Sequence, residues 1–202
     1  MLKIGVLVSG RGSNLQAMID AIEAKKLNAE IAVVISNVAG VQALERARKH
    51  GIKAVVVNDK EFRDKSSYEK EIIKELENNK VELVCLAGYM KLISQEFVRH
   101  FRGRMMNIHP ALLPAFPGLH VQRKALEHGV KYTGATVHFV DEGCDTGPII
   151  IQAVVAVLDD DTEETLSARI LEQEHKIYPE AIRLFSENKL KIEGRRVKIV
   201  KR

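Results

Sequence analysis

Asn107 and His109, two residues apart in the run Asn107-Ile-His-Pro110, are the residue types in this chain best suited to do chemistry. An imidazole exchanges protons near neutral pH, and an amide N–H can stabilise a developing oxyanion. Side chains of a strand alternate between its faces, so if Arg104–His109 is extended, both groups leave it on the same side. Pro110 lacks an N–H and disfavours a helical backbone before it, so the strand ends there and a loop begins. Strand ends that open into loops are where α/β sheets hold their ligands. The plain alternative is a polar strand terminus with a surface histidine.

Carboxylates come from the acidic turn Asp141-Glu-Gly-Cys-Asp-Thr-Gly147. A buried aspartate beside a histidine stabilises the imidazolium and raises the histidine pKa into the range useful for acid catalysis. Cys144 is a conceivable nucleophile, but nothing else in the sequence marks an activated thiol. His138, within the apolar run Thr133–Val140, reads as a satisfied sheet histidine rather than a catalyst. His50-Gly51 and His128-Gly129 read as helix C-termini, where a histidine complements the dipole.

Two further turns carry binding character. Ser9-Gly-Arg-Gly-Ser-Asn14 stands between an apolar run and a helical pattern. Strand, glycine-rich turn and helix aim free N–H groups and the positive end of a helix at an anion. Gly12 permits close backbone approach, and Ser13 or Asn14 can cap the helix or bond a phosphate oxygen. Leu15 replaces the third glycine of a dinucleotide fingerprint, and the next strand ends in Ser36-Asn37 rather than an acid. A single phosphate monoester therefore suits the loop better than a dinucleotide, with a plain strand-to-helix turn as the alternative. At Gly88-Tyr-Met-Lys-Leu-Ile93, Met90, Lys91, Leu92 and Ile93 either line a pocket for a flat ring or pack at the start of a helix.

These turns need a scaffold, and the pattern supplies one. Leu2–Val8, Glu30–Ile35, Lys53–Val57 and Val81–Ala87 are apolar runs of the kind buried on both faces of a parallel sheet. Cys85 lies in one of them as core packing. Helical patterns separate the runs: one beginning at Leu15, one over Val41–His50, and one from Ser66 or Ser67 to Asn79. Strands Arg104–His109, Thr133–Val140 and Pro148–Val157 follow, with a short helix Val121–His128. A long helix runs from about Thr162 to Asn188, opened by a capping-box-like Asp161 and Glu164 and with a kink expected at Pro179. Three of the five prolines, Pro110, Pro114 and Pro117, stiffen the loop after His109. The reading is one α/β domain over 1–202, a mostly parallel twisted sheet with helices on both faces. It has a Rossmann-like phosphate-binding half (1–100) and a catalytic half (101–202) with an antiparallel addition, a long helix and a basic hairpin.

Composition excludes several classes. Hydrophobic residues make up 46% and charged ones 29%, the balance of an ordinary soluble globule. No run is long and apolar enough to span a membrane, and Met1–Val8 enters a glycine turn rather than a cleavage site, so a cytoplasmic protein is expected. The two cysteines share no metal-ligand or redox spacing, and no metal site is expected. Of 31 Lys/Arg and 27 Asp/Glu, seven and one fall in 189–202, leaving 24 and 26 elsewhere, so the net charge of +4 belongs to the tail. Lysines on an edge hairpin block aggregation more often than they bind phosphate, so no nucleic-acid partner is expected.

Seven segments together resemble the phosphoribosylglycinamide formyltransferase family of folate-dependent enzymes. They are Ser9–Asn14, Leu86–Met90, Asn107–Pro114, Phe116–His120, Thr136–Val140, Asp145–Pro148 and Gln173-Glu-His-Lys-Ile-Tyr-Pro179. The resemblance runs in order from about residue 2 to 194. It implies transfer of a formyl group from 10-formyltetrahydrofolate, as co-substrate, to the amine of glycinamide ribonucleotide in purine synthesis. It further implies Asn107, His109 and Asp145 as the catalytic set, with Asn107 and a protonated His109 stabilising the oxyanion and Asp145 keeping His109 cationic and so raising its pKa, without a metal or covalent intermediate. The ribonucleotide phosphate would sit on Gly12, Ser13 and Asn14, with Glu174 near the ribose. Folate would lie along Met90–Ile93 and touch Asn107, with its pterin held by the loop Asp141–Asp145. An arginine of the family meets the folate tail; here Lys65 aligns best, with Arg63 close by, a point charge in place of a fork. A monomer or homodimer is expected.

Other readings compete. A methionyl-tRNA formyltransferase would carry a second, RNA-binding domain, and a formyltetrahydrofolate hydrolase an additional N-terminal domain. A sugar-nucleotide N-formyltransferase shares the chemistry with a different acceptor. A non-catalytic mononucleotide-binding module would explain the glycine loop without needing Asn107, His109 and Asp145.

Overall fold

Four apolar runs become parallel strands in the first of two compact units, residues Met1–Met106. The structure is a computed structural model describing residues 1–200; Lys201 and Arg202, the end of the basic tail, lie outside the described residues. The unit runs β1 (Leu2–Val8), α1 (Ser13–Glu23), β2 (Ala29–Ser36), α2 (Gln42–Lys49), β3 (Ala54–Val56), α3 (Lys65–Asn78), β4 (Leu83–Leu86) and α4 (Gln95–His100). Its strand order is β3-β2-β1-β4, every pair parallel. Ile4 to Val8 are buried without alternation, because a sheet covered on both faces leaves neither set of side chains in water. Helix α1 turns Leu15, Met18 and Ile19 inward at i, i+3 and i+4. Helix α3 starts at Lys65 rather than at Ser66 or Ser67, because the Asp64 carboxylate accepts from Ser67 N at 2.8 Å and fixes the cap one residue earlier.

The second unit, residues Asn107–Arg202, takes over within β5 (Met105–His109). It continues with α5 (Val121–Glu127), β6 (Tyr132–Phe139), β7 (Ile149–Ala156), α6 (Glu163–Ser186), β8 (Leu190–Glu193) and β9 (Arg196–Ile199), in the order β5-β6-β7-β9-β8. Here β6 and β7 are antiparallel, β8 and β9 form the expected antiparallel hairpin, and β9 meets β7 in parallel through Ile149 and Arg196. The edge lysines Lys191 and Lys198 share one carboxylate, Glu193. Helix α6 buries Leu166, Ile170, Glu174, Tyr178 and Ile182 along one stripe and continues through Pro179. Its capping box is Thr162 with Thr165, not Asp161 with Glu164. Asp161 instead holds the Arg169 guanidinium at 2.8 Å and accepts from Leu158 N. The sequence reading of an α/β chain, parallel first and antiparallel later with a long final helix, describes both units.

Candidate active site

Strand alternation delivers Asn107 and His109 to one carboxylate. Asn107 is half-buried and His109 buried at the end of β5. Asn107 Nδ2 lies 3.4 Å from Asp145 Oδ1, and His109 Nδ1 lies 3.5 Å from Asp145 Oδ2. Asp145 also accepts from the backbone N–H of Gly118 at 2.9 Å. Its backbone is left-handed, φ 55°, a conformation an aspartate tolerates better than most residues. Two residues on, Gly147 lets the acidic turn press against β6: a Cβ there would stand 1.8 Å from the Phe139 carbonyl oxygen.

His138 belongs to the same cluster. It is a satisfied sheet histidine, as its sequence context predicts, since its Nδ1 faces the Phe139 carbonyl at 2.9 Å. A carbonyl only accepts, so Nδ1 carries the proton and Nε2 offers a lone pair. That lone pair receives Asn107 Nδ2 at 3.2 Å, and Nε2 is 3.7 Å from Asp145 Oδ1. The register of β6 on β7 shifts between Val137 and His138, a bulge of the kind that re-aims side chains. Both amide hydrogens of Asn107 are therefore engaged, at long and readily exchanged distances.

The same reasoning fixes the proton on His109. Its Nε2 faces the Phe116 carbonyl at 2.8 Å and must be the donor, which turns Nδ1 toward Asp145. Burial lowers the pKa of His109 below the ordinary histidine value, and this outweighs the opposing pull of Asp145 and of the Phe116 carbonyl. The expectation that Asp145 raises that pKa is corrected: spacing shows the carboxylate but not the desolvation. Burial pushes the Asp145 carboxyl up, but the Gly118 N–H and, once they are protonated in acid, the imidazoles of His138 and His109 bring it down to about 2. The imidazole is neutral at rest beside an ionised carboxylate. Burial and the Asp145 charge push the Cys144 thiol up, the wrong direction for a nucleophile.

The proline-rich loop is tied down by β6 and β7. Thr136 Oγ1 donates to Ala111 O at 2.7 Å and accepts from Leu113 N at 3.1 Å, while Gln152 Nε2 reaches Leu113 O at 2.8 Å. Asp141 accepts from Gly143 N at 3.1 Å and Thr146 Oγ1 at 2.7 Å, shaping the turn that carries Asp145. Glu174 is buried on α6.

In the first unit, the glycine turn is held by its carbonyls. Gly10 O accepts from Ala43 N at 3.1 Å and Arg11 O from Arg46 Nε at 3.0 Å. Gly12 caps α1 with φ 70°, and a Cβ there would meet Ala43 Cβ at 2.6 Å. No side chain caps α1, so neither Ser13 nor Asn14 plays that part. The opening N–H groups of an α-helix have no intrahelical acceptor.

Turn 88–94 is fastened to the same loop. Ser9 N donates to Gly88 O at 3.1 Å, and Met90 N to Ser9 Oγ at 2.9 Å. The Tyr89 hydroxyl bonds that of Tyr68, and burial pushes both phenols up. Lys91 pairs with Asp59 at 2.6 Å, and Glu69 takes both Ser94 N, at 2.8 Å, and Ser94 Oγ. Ser94 then caps α4. Met90 and Leu92 stand 64% and 77% exposed, so they do not pack at the helix start; Ile93 is half-buried. Lys65 reaches toward Glu69 at 3.9 Å, and the Arg63 side chain is 94% exposed.

Residues 2–182 match the family described as Formyl transferase. The chain belongs to that family. Within the formyl transferases, it is 44% identical over 191 residues to phosphoribosylglycinamide formyltransferase of Escherichia coli K12, covering 95% of this chain and 90% of that one. It is also 52% identical over 202 residues to the trifunctional purine biosynthetic protein adenosine-3 of Drosophila pseudoobscura pseudoobscura. That match takes in 99% of this chain but 14% of the fly protein, so the chain spans about one seventh of that relative's length. The crystal structure of glycinamide ribonucleotide transformylase 1 from Symbiobacterium toebii superposes with a TM-score of 0.98 at 52% identity, covering 100% of this chain and 95% of that one.

Proposed function

We propose that this formyl transferase moves the formyl group of 10-formyltetrahydrofolate onto the amine of 5′-phosphoribosylglycinamide, giving formylglycinamide ribonucleotide and tetrahydrofolate. The observation that carries the reading is the convergence of Asn107, His109 and His138 on Asp145, in a chain this similar to enzymes so named. As the amine attacks, an N–H of Asn107 leaves the carboxylate or His138 for the new oxyanion. Neutral His109 accepts the amine's proton, and the imidazolium so formed is stabilised by Asp145. The proton then passes to the departing folate nitrogen, and the enzyme returns to its starting state.

The ribonucleotide phosphate is assigned to the N–H groups at Gly12, Ser13 and Asn14, and its ribose to Glu174. The folate is assigned to Met90–Ile93, to Asn107, Asp141 and Asp145, and at its tail to Lys65. Exposed apolar side chains on a fastened backbone favour the second assignment. Residues 1–202 act as one formyltransferase domain, cytoplasmic, as a monomer or homodimer, on small molecules and without nucleic acid. No helix among the described residues is long and apolar enough to cross a membrane.

A spectrophotometric assay with each substrate omitted in turn tests the reading. Turnover that requires both glycinamide ribonucleotide and the formyl donor supports it. Transfer to a sugar nucleotide instead would identify a different acceptor, and saturable phosphate binding without transfer would leave a binding module.

A further inference from the structure

We propose that Phe116 is a positioning residue for His109, its main-chain carbonyl holding the proton on Nε2 so that Nδ1 alone exchanges a proton during formyl transfer. The inference rests on the function proposed above. Both groups that flank the His109 ring belong to residues with left-handed backbones: Phe116, φ 52°, and Asp145, φ 55°. For an aromatic side chain this region is sparsely populated, and such conformations persist only where surrounding contacts impose them. Three contacts impose it here. The Phe116 and His128 rings meet in a T-shaped arrangement, 5.4 Å between centroids. Pro117 O accepts from Lys124 Nζ at 3.3 Å, and Gly118 N is tied to Asp145 at 2.9 Å. The segment 116–118 is thus fixed on both sides, with one carbonyl turned to the imidazole at 2.8 Å.

The consequence for proton flow is specific. Forming the new C–N bond releases one proton from the amine, and breaking the old one requires one proton at the folate nitrogen. Nε2–H is committed to Phe116, so Nδ1 takes the first proton and returns it in the second step, with no net change at His109. The charged and titratable groups facing the ring are Asp145 from the acidic turn, His138 from β6 and Lys124 from α5, with the Cys144 thiol behind Asp145. The hydrogen bond to Phe116 O favours the charged ring, so its loss moves the acid limb of the kcat profile to lower pH.

Long-range proton–nitrogen NMR of the full chain with labelled histidine, assigned with His109→Gln, reads the tautomer directly. The wild type and Phe116→Tyr are expected to carry the proton on Nε2, and Phe116→Ala to give a mixture of tautomers. In Phe116→Ala kcat is expected to fall about tenfold, with both KM values within about twofold, and the acid limb to move down. Should Phe116→Ala fail to fold, His128→Ala removes the ring's partner from outside and is expected to shift tautomer and kcat the same way, about threefold. A wild type protonated on Nδ1, or a folded variant with wild-type tautomer and kcat, overturns the proposal. If the wild type transfers no formyl group, the functional reading fails, while the tautomer measurement still decides the role of Phe116.

Discussion

At turn Gly88–Ser94 the backbone and the polar side chains are fastened while Met90 and Leu92 stand in water; around Asp145, Asn107 is bonded to His138 and to the carboxylate, His109 to the Phe116 carbonyl, and the group is largely withdrawn from water. The turn offers a ligand apolar area, and its strength will follow how much of that area the ligand covers. The Asp145 cluster offers oriented dipoles and a place for a proton in a dry site, where electrostatic effects are largest. On the function proposed, the turn recognises the formyl donor and the Asp145 cluster carries the reaction. Perturbing them should separate KM from kcat.

The sharpest way to break this contrast lies in the cluster. Asn107→Ala and His109→Ala are each expected to lower kcat at least about 100-fold, corresponding to roughly 2.7–4 kcal/mol, with ribonucleotide affinity retained. Steady-state kinetics with a separate binding measurement checks this, and near-wild-type turnover in either variant would remove that residue from the mechanism. Gly12→Ala comes next. With φ 70° and a Cβ colliding with Ala43, it is expected to cost roughly 2–3 kcal/mol in denaturant unfolding and to weaken ribonucleotide binding.

The acid stability of the cluster follows. The Asp145 carboxyl is at about 2 when folded, against 3.8 ordinarily. Its ionisation therefore stabilises the fold fully above about pH 4, and this is lost as pH falls toward 2. Between pH 5 and pH 2 the wild type should lose on the order of 2 kcal/mol more than Asp145→Asn. Parallel stability curves for the two proteins would contradict the assignment. The smallest effect belongs to the turn: Met90→Ser or Leu92→Ser should raise the KM for the formyl donor about tenfold, with kcat within about twofold and the melting temperature unmoved. A matching loss in kcat would erase the distinction between the two regions.

Much of this arrangement can be read before any coordinates exist, because it depends on short periods. Two-residue alternation alone places Asn107 beside His109, and unbroken apolar runs give β1, β2 and β4. What sequence hides is distance and burial. The six residues of α4 are too few to show an amphipathic repeat, and its cap, Ser94, gains weight only from Glu69 far upstream. His138 reads as an ordinary sheet histidine because nothing local reveals that a bulge turns it to Asn107 and Asp145. The pKa of His109 escapes for the same reason: a carboxylate is visible in the sequence, whereas removal of water from around the ring is a property of the fold. The cap of α6 moves by one residue because Asp161 is taken by Arg169, a contact one helical turn beyond the capping box.

Gly147 shows how such a cluster is kept in tune. Its single hydrogen is the full thickness available between the acidic turn and the end of β6. A methyl group at that point would act as a shim, lifting the carboxylate away from the imidazole and slowing proton delivery while leaving every ionisable group in the protein intact.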